Sequence, residues 1–230
     1  MIDPYEPIVV DLSKLKLPIY NVDPITIYGQ LAQDLFVIAM TKGKQNGTYL
    51  EIGCGWPIGG GNNTFALQEY FNWSGVSIDS GRDAENSDAW RSLDEDWQAF
   101  RPFANFLNKD AFSIDYSLYP IHFDYLQVDI DPSSNSFAIL KKITEHIKFS
   151  VITFEHDWLD EKSNHNDFKI RSQSRQYLKS LGYVLIISDI GGEDWWVDPS
   201  IITEDIINAY TQINAVDTRT HCLLNINQPL

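Results

Sequence analysis

Short apolar runs alternate with longer segments of helical periodicity along most of the chain. Apolar residues spaced three and four apart predict a helix over 25–40, which glycines at 43 and 47 end. Runs rich in β-branched and aromatic residues, bounded by turn residues, predict strands. The predicted strands cover 48–52, 75–79, 104–107, 123–129, 150–155, 183–188 and 195–197. Further predicted helices cover 64–71, 136–147, 171–181 and 203–213, and a polar loop containing a helix covers 81–101.

This alternation predicts the fold class. Strands that are separated by helices pair in parallel, and the helices then cover both faces of the sheet. We therefore predict one α/β domain over 25–230, Rossmann-like, with a mostly parallel seven-stranded sheet. Residues 1–24 contain four prolines and are predicted to form an irregular N-terminal arm. Ligands of such sheets bind at the carboxyl ends of the strands, where the strand order reverses.

The first predicted strand of the domain runs directly into a glycine-rich turn. Gly53 and Gly55 lack side chains, so the backbone there can approach a ligand closely. Asp79 ends the next strand, 20 residues after Gly59. An acid at that distance is placed to accept hydrogen bonds from both hydroxyls of a ribose. Asn62 or Asn63 is the predicted N-cap of the helix that follows the turn.

Details of the turn separate two classes of nucleoside cofactor. Dinucleotide enzymes share this logic, but Pro57 and Ile58 break the G-x-G-x-x-G pattern that binds a pyrophosphate. Glu51 precedes the first glycine, where methyltransferases commonly place an acid near the methionine end of S-adenosylmethionine. Asp110 and Ala111 follow the third strand of the domain and are placed to contact an adenine edge. The turn therefore favours S-adenosylmethionine over NAD.

Several segments together resemble the FkbM family of methyltransferases. The matching segments are Gln33-Asp34-Leu35-Phe36, Tyr49-Leu50-Glu51-Ile52-Gly53, Asn63-Thr64, Asp124-Tyr125-Leu126-Gln127-Val128-Asp129-Ile130-Asp131 and Glu193-Asp194-Trp195-Trp196-Val197. The resemblance covers most of the chain. It implies a class I methyltransferase fold and methyl transfer from S-adenosylmethionine, often to a hydroxyl of a sugar or related natural product. Pro132 stands where the family usually has a glycine, which affects the shape of that loop.

These observations give a predicted set of cofactor-binding residues. The set comprises Glu51, Gly53, Cys54, Gly55, Asn63, Asp79, Asp110, Ala111 and Asp129. Cys54 is expected to fill the turn as a small side chain rather than act as a nucleophile, because no partner for it is identifiable.

Acids follow two strands that should be neighbours in the sheet. Asp129 and Asp131 lie two residues apart, and Glu155, His156 and Asp157 end the next strand. One hypothesis is a Mg²⁺ site made by the four carboxylates, and we do not favour it. The other makes His156 the base that deprotonates a substrate hydroxyl, oriented by Asp129 or Glu155. The alternative is that Asp131 to Ser134 have no role in function and form only a turn that is followed by a helix N-cap.

The predicted substrate contacts come from the same edge of the sheet. Asp131 is one, and Trp195 and Trp196 are predicted to wall the pocket, because aromatic faces suit both a sulfonium and a sugar ring. Packing explains most tryptophans, so at least one of this pair is expected to lie in the core. The Asp129-Ile130-Asp131 segment also mimics the D-x-D of nucleotide-sugar glycosyltransferases, but the upstream glycine turn argues for a different cofactor.

Charge and composition narrow the range of partners. The net charge is −15 and the pI is about 4.5, so nucleic acids and anionic membranes are not expected partners. Two cysteines, Cys54 and Cys222, form no disulfide framework or metal cluster. The first residues lack the basic and apolar regions of a signal peptide, so a cytoplasmic location is expected.

The leading hypothesis is an O-methyltransferase acting on a small hydroxylated or glycan acceptor. A nicotinamide-dependent oxidoreductase is the main alternative, because Asp79 and the glycines would serve it equally well. A binding protein that kept the fold and lost catalysis is the third. The acceptor and the oligomeric state are left open by the sequence.

Overall fold

The computed structural model describes residues 7–10, 24–59, 61–80, 93–159 and 165–210. Seven strands form one sheet: β3 (Thr48–Ile52), β4 (Ser74–Asp79), β5 (Asn105–Asn108), β6 (His122–Val128), β7 (Lys148–Glu155), β8 (Val184–Ile190) and β9 (Glu193–Val197). Their order is β5-β4-β3-β6-β7-β9-β8. Strands β3 to β7 are parallel, and β9 runs antiparallel to both β7 and β8. The predicted α/β class and the mostly parallel seven-stranded sheet are confirmed.

Six described helices accompany the sheet. They are α1 (Gln33–Met40), α2 (Phe65–Phe71), α3 (Leu93–Phe100), α4 (Ser133–Thr144), α5 (His165–Ser180) and α6 (Glu204–Tyr210). Because side chains alternate along a strand, each strand contributes to two cores. One core includes Tyr49, Tyr125 and Trp195 and packs under α1. The other includes Leu50, Leu126 and Trp196 and packs under α4.

The strand order places a topological switch point between β3 and β6. From β3 the chain passes outward to β4 and β5, and it then returns to form β6 on the other side of β3. The two connections leave in opposite directions, which opens a crevice above the ends of these neighbouring strands. Gly53 and Asp129 are the residues that directly follow them.

The prediction was wrong at the start of the domain. Ile25–Ile27 is a strand, β2, which pairs antiparallel with β1 (Ile8–Val10), so the helix begins only at Gln33. The Asp34 carboxylate accepts hydrogen bonds from the backbone N–H groups of Tyr28 and Gly29, at 2.6 and 3.1 Å, which holds the turn between strand and helix. The expected irregular arm therefore contains a strand, and its boundary at residue 24 stays a prediction.

Other element boundaries shift by a few residues. Helix α4 begins three residues before the predicted position, directly after Pro132, and the Asp131–Pro132 peptide bond is cis. The N-cap of α2 is Thr64 and not Asn62 or Asn63, although the Asn62 side-chain oxygen accepts from the N–H groups of Thr64 and Phe65 just before and at the helix start. The predicted loop residues 81–92 and helix residues 211–213 lie outside the described chain. None of the described helices is long and apolar enough to cross a membrane.

Candidate functional site

A cleft of about 580 Å³ opens at the switch point. Its lining includes seven residues that the sequence predicted: Gly53, Gly55, Asp79, Asp110, Ala111, Asp129 and Asp131. They come from the ends of four adjacent parallel strands, so the structure brings them together as the fold rules require. Lining residues that sequence reasoning missed are Ile52, Ile78, Ser80, Lys109, Phe112, Ile130 and Asn135. The sequence analysis selected glycines and acids at strand ends, and it therefore missed these residues, most of which are direct sequence neighbours of the selected acids.

Gly53 lets β3 and β6 approach each other at the floor of the cleft. It has φ +75°, and a Cβ on it would overlap the backbone carbonyl oxygen of Asp129. The ladder continues through this contact, because Asp129 N–H donates to Ile52 O at 3.0 Å. Only glycine fits both the backbone angle and the space.

The Asp79 carboxylate holds the glycine turn from the next strand. It accepts a hydrogen bond from Gly55 N–H at 3.0 Å. On the far side of β4, Asp110 accepts from Phe112 N–H at 3.0 Å and so caps the short 3-10 turn at Ala111–Ser113. The edge of the cleft therefore presents, in order across the sheet, Asp110, Asp79, the glycines and Asp129.

Glu51 lies beneath the turn rather than in the cleft. Its carboxylate is buried and accepts hydrogen bonds from the hydroxyls of Thr64 and Ser77 at 2.8 and 2.7 Å. Burial raises the pKa of Glu51, and the charge of Arg101 and these hydrogen bonds oppose the rise. The predicted contact of Glu51 with the methionine end of a cofactor is not supported by this position, because its oxygens are committed to the protein.

Asn63 and Cys54 are likewise absent from the described lining of the cleft. Asn63 is buried, and its Oδ1 has no hydrogen-bond partner within the described structure. Cys54 packs against Trp97, and burial raises the pKa of its thiol well above the ordinary value. The expectation that Cys54 fills space agrees with this packing.

A buried arginine that the sequence analysis missed forms hydrogen bonds with residues around the glycine turn. Arg101 follows α3, and its guanidinium donates to Tyr49 Oη at 2.9 Å, Thr64 Oγ1 at 3.1 Å and Gln68 Oε1 at 2.6 Å. Trp97, on α3, donates from Nε1 to Gly55 O at 3.0 Å. The partners are up to 52 residues from Arg101 in the sequence, so no local pattern could reveal the network.

The acids after β6 and β7 form a carboxyl pair. Asp129 and Glu155 follow the paired residues Val128 and Phe154, so their carboxyl groups lie beside each other. Burial and the interaction with Asp129 raise the pKa of Glu155 far above its usual range, and the charge of Glu193 adds to the effect. Burial also raises the pKa of Asp129, but its interaction with Glu155 opposes that rise, so the proton of the pair is favoured on Glu155. Burial also raises the pKa of Asp157.

The four acids do not converge on one point. Within the described chain, Asp129, Asp131, Glu155 and Asp157 supply no three ligand oxygens that all lie within 4.8 Å of one another. A protonated Glu155 is also a poor ligand for Mg²⁺. We therefore do not propose a metal site there.

His156 occupies a different place from the one predicted. It is fully buried, and it does not belong to the described lining of the cleft. Its Nδ1 accepts a hydrogen bond from Trp158 N–H at 3.2 Å, so the proton of the neutral ring is on Nε2. That nitrogen faces Asp194 Oδ1 at 3.5 Å. The prediction of His156 as the substrate base was wrong for this geometry, because no free lone pair of the ring reaches the cleft.

His156 belongs to an ion-pair network with residues of α5, β8 and β9. Arg175 binds the Asp194 carboxylate through two nitrogens, at 2.6 and 2.7 Å, and also contacts Asp189. Arg171 donates to Asp189 at 2.5 and 2.6 Å. His156, Asp189 and Asp194 are close enough to hold an ion. The two guanidinium groups already neutralise both carboxylates, so the cluster is better described as an ion-pair network than as a metal centre.

We expect Asp194→Asn to destabilise the protein by about 2–3 kcal/mol near pH 6, because it removes the buried carboxylate that Arg175 binds through two nitrogens, while Asp189 remains as the partner of Arg175. Burial raises the pKa of Asp194, but the hydrogen bonds and charge of Arg175, with His156 at 3.5 Å, outweigh it and lower the pKa to about 2. This depressed pKa stabilises the fold above pH 3.8, and the contribution disappears as the pH falls toward 2.

Urea denaturation of wild type and variant across pH 2–6 tests this prediction. The difference in unfolding free energy should shrink by roughly 2 kcal/mol at the acidic end, since each pKa unit corresponds to about 1.4 kcal/mol. Asp198→Asn, on a partly exposed turn, is the control and should show little effect. A difference that stays constant with pH would contradict the assignment.

The two tryptophans of β9 lie in the core and do not wall the pocket. Both are fully buried, Trp195 on one face of the sheet against Phe36, with ring centroids 4.9 Å apart, and Trp196 on the other. Trp195 also donates to Glu193 at 2.8 Å. The prediction was wrong because β9 lies between β7 and β8, where both faces are covered.

Comparison with solved structures identifies the fold. A Staphylococcus aureus protein provisionally described as a caffeoyl-CoA O-methyltransferase superposes with a TM-score of 0.51 at 14% identity, over 76% of this chain and 86% of that one. The fold is that of class I methyltransferases. A SAM-dependent methyltransferase from Aquifex aeolicus (TM-score 0.45, 14% identity, 73% and 88% coverage) is among the other similar structures. No protein-family model and no curated protein matches the sequence.

Proposed function

We propose that this protein is an S-adenosylmethionine-dependent methyltransferase that methylates a hydroxyl of a sugar or another small hydroxylated acceptor. The observation that carries the proposal is the order of groups along the cleft. Asp110 and Ala111, then Asp79, then Gly53 and Asp129 follow one another across the sheet, and we propose that they contact the adenine, the ribose and the methionine end of the cofactor in that order. An adenosine linked to a methionine fits this order.

The cleft suits a cationic cofactor better than a dinucleotide. Among its described lining residues are four aspartates and one basic residue, Lys109. Such a surface repels the two negative charges of a pyrophosphate and attracts a sulfonium. Helix α2 begins only at Phe65, so its N-terminus does not directly follow the glycines, as it does in dinucleotide sites. These points disfavour the nicotinamide alternative.

The acceptor is proposed from the chemistry of the far end of the cleft and from the resemblance to FkbM proteins. Methyl transfer joins the acceptor oxygen to the methyl carbon, the C–S electron pair goes to sulfur, and the hydroxyl proton leaves to a base. Asp129 is the proposed base, because it lines the cleft beyond the glycines, and exposed Asp131 is a proposed acceptor contact. Transfer of labelled methyl from S-adenosylmethionine to a panel of sugars, polyols and matched amines tests this choice.

Calorimetric titration with S-adenosylhomocysteine tests the cofactor. We expect saturable binding by wild type and a loss of about 10-fold to 100-fold or more for Asp79→Ala, because a carboxylate bonded to two ribose hydroxyls contributes about 1.5–3 kcal/mol or more. Asp79→Ala also removes the hydrogen bond from Gly55 N–H.

Asp115→Ala is the matched control for this titration, because Asp115 is an exposed aspartate that caps a short turn outside the described lining of the cleft. It should bind like wild type. A folded wild-type protein that ignores S-adenosylhomocysteine and binds NADH would overturn the proposed function in favour of an oxidoreductase.

A further inference from the structure

The end of β6 is where the sulfur of a bound cofactor would lie. Adjacent strands are about 4.8 Å apart, so the end of β6 lies about 10 Å from the end of β4, with Gly53 of β3 between them. If the ribose is at Asp79, the methionine chain extends over Gly53 toward Asp129. Gly53 and Asp129 both line the cleft, and the glycine lets the backbone at Asp129 approach the end of β3 closely, so Asp129 is the acid next to that position.

The surroundings of Asp129 favour its charged form within a group of three acids. Glu155 ends the neighbouring strand β7 and follows the residue that pairs with Val128, so its carboxyl group lies beside that of Asp129. Behind it, Glu193 faces Glu155 across the β7–β9 ladder and is held by Gln33 Nε2 and Trp195 Nε1, both at 2.8 Å. Burial and the neighbouring acids raise the pKa of Glu193 to about 8 and that of Glu155 further still. Burial also raises the pKa of Asp129, but its interaction with Glu155 opposes that rise, so the negative charge of the group is favoured on Asp129, at the cleft.

We propose that the Asp129 carboxylate, hydrogen-bonded by the Glu155 side chain, faces the cofactor's sulfonium and makes the cleft select charged S-adenosylmethionine over neutral S-adenosylhomocysteine. This inference rests on the proposed function. Methyl transfer removes the positive charge from sulfur, so the attraction that holds the substrate form is lost in the product form, and product release follows. Glu155 acts here as a positioning residue, because it orients Asp129 and keeps the proton away from it.

Calorimetric Kd values for S-adenosylmethionine and S-adenosylhomocysteine test the proposal without any acceptor. Wild type should bind the charged form roughly tenfold or more tightly, the scale expected for opposite charges in a partly buried site. Asp129→Asn should bring the ratio of the two Kd values close to one, mainly by weakening the binding of S-adenosylmethionine. Glu155→Gln should keep the wild-type ratio, because its amide donates the same hydrogen bond. Asp115→Asn is the matched control, because it makes the same change at an exposed aspartate outside the described lining of the cleft.

The outcomes separate this inference from the proposed function. Equal affinity of wild type for the two forms overturns the inference, and this comparison needs no variant to fold. The inference is also overturned if the ratio of the two Kd values is unchanged in Asp129→Asn, or if it falls to about one in Glu155→Gln. A merely structural role of Asp129 would weaken both ligands by the same factor. Wild type that binds neither form overturns the proposed function itself.

Discussion

Replacing Gly53 with alanine is expected to destabilise the protein by about 2–5 kcal/mol and to abolish cofactor binding. A positive φ costs an ordinary residue about 1–2 kcal/mol, and forcing a methyl group into a packed site adds about 1–3 kcal/mol. At Gly53 both costs apply, because φ is +75° and the new Cβ would overlap Asp129 O and contact Ile130. Strands β3 and β6 would have to separate at the floor of the cleft.

Gly55→Ala is the matched control, because it should have the cost of the positive φ without the cost of a steric overlap. Gly55 has φ +54°, but no atom lies within 4 Å of the position that a Cβ would occupy. We expect a loss of about 1–2 kcal/mol in urea denaturation. If the two variants lose the same free energy of unfolding, the close approach of β6 to Gly53 does not constrain the turn.

The sequence predicted the fold well because its signals are local. Each strand of the sheet is an apolar run between turn residues, and the alternation with helices implies parallel pairing. The cleft followed from the same logic, because any acid directly after a strand must lie at the carboxyl edge. Asp79, Asp110 and Asp129 were found in this way, and all three line the cleft. Their roles in binding remain predictions.

The wrong predictions were those that inferred a functional role from the position of a residue along the chain, because the sequence does not show in which direction its side chain points. His156 follows a strand as Asp129 does, but its ring points into the protein and contacts Asp194. Trp195 and Trp196 look like a pocket wall in a terminal strand, yet β9 inserts between two other strands. The sequence does not reveal that insertion, because the pairing joins β9 to β7, about 40 residues earlier.

Arg101 shows the other limit of sequence reasoning, and its replacement is the second large effect that we predict. The guanidinium is buried and contacts the aromatic face of Trp97 at 4.8 Å from the ring centroid. Arg101→Met should cost about 3–5 kcal/mol, because it leaves Glu51 without its compensating charge and Tyr49 and Gln68 without their donor. Urea denaturation measures this loss.

Lys44→Met provides the contrast of an ion pair whose lysine is half-exposed. Lys44 contacts Asp124 at 2.6 Å with its side chain 47% exposed, and the buried Asp124 also accepts hydrogen bonds from Thr48, so the expected cost is about 1 kcal/mol. If Arg101→Met costs as little as Lys44→Met, the buried network does not stabilise the turn.

A double-mutant cycle with Glu51→Gln isolates the charge interaction between Arg101 and Glu51. Burial already raises the pKa of Glu51, and Arg101 opposes that rise, so Glu51 should take up a proton once the arginine is gone. Glu51→Gln should therefore cost less in the Arg101→Met background than in wild type, by roughly 0.5–3 kcal/mol. Additive costs would mean that Arg101 acts through its hydrogen bonds to Tyr49 and Gln68 alone. Coupling would show instead that the charges of Arg101 and Glu51 stabilise each other within the buried network beside the glycine turn.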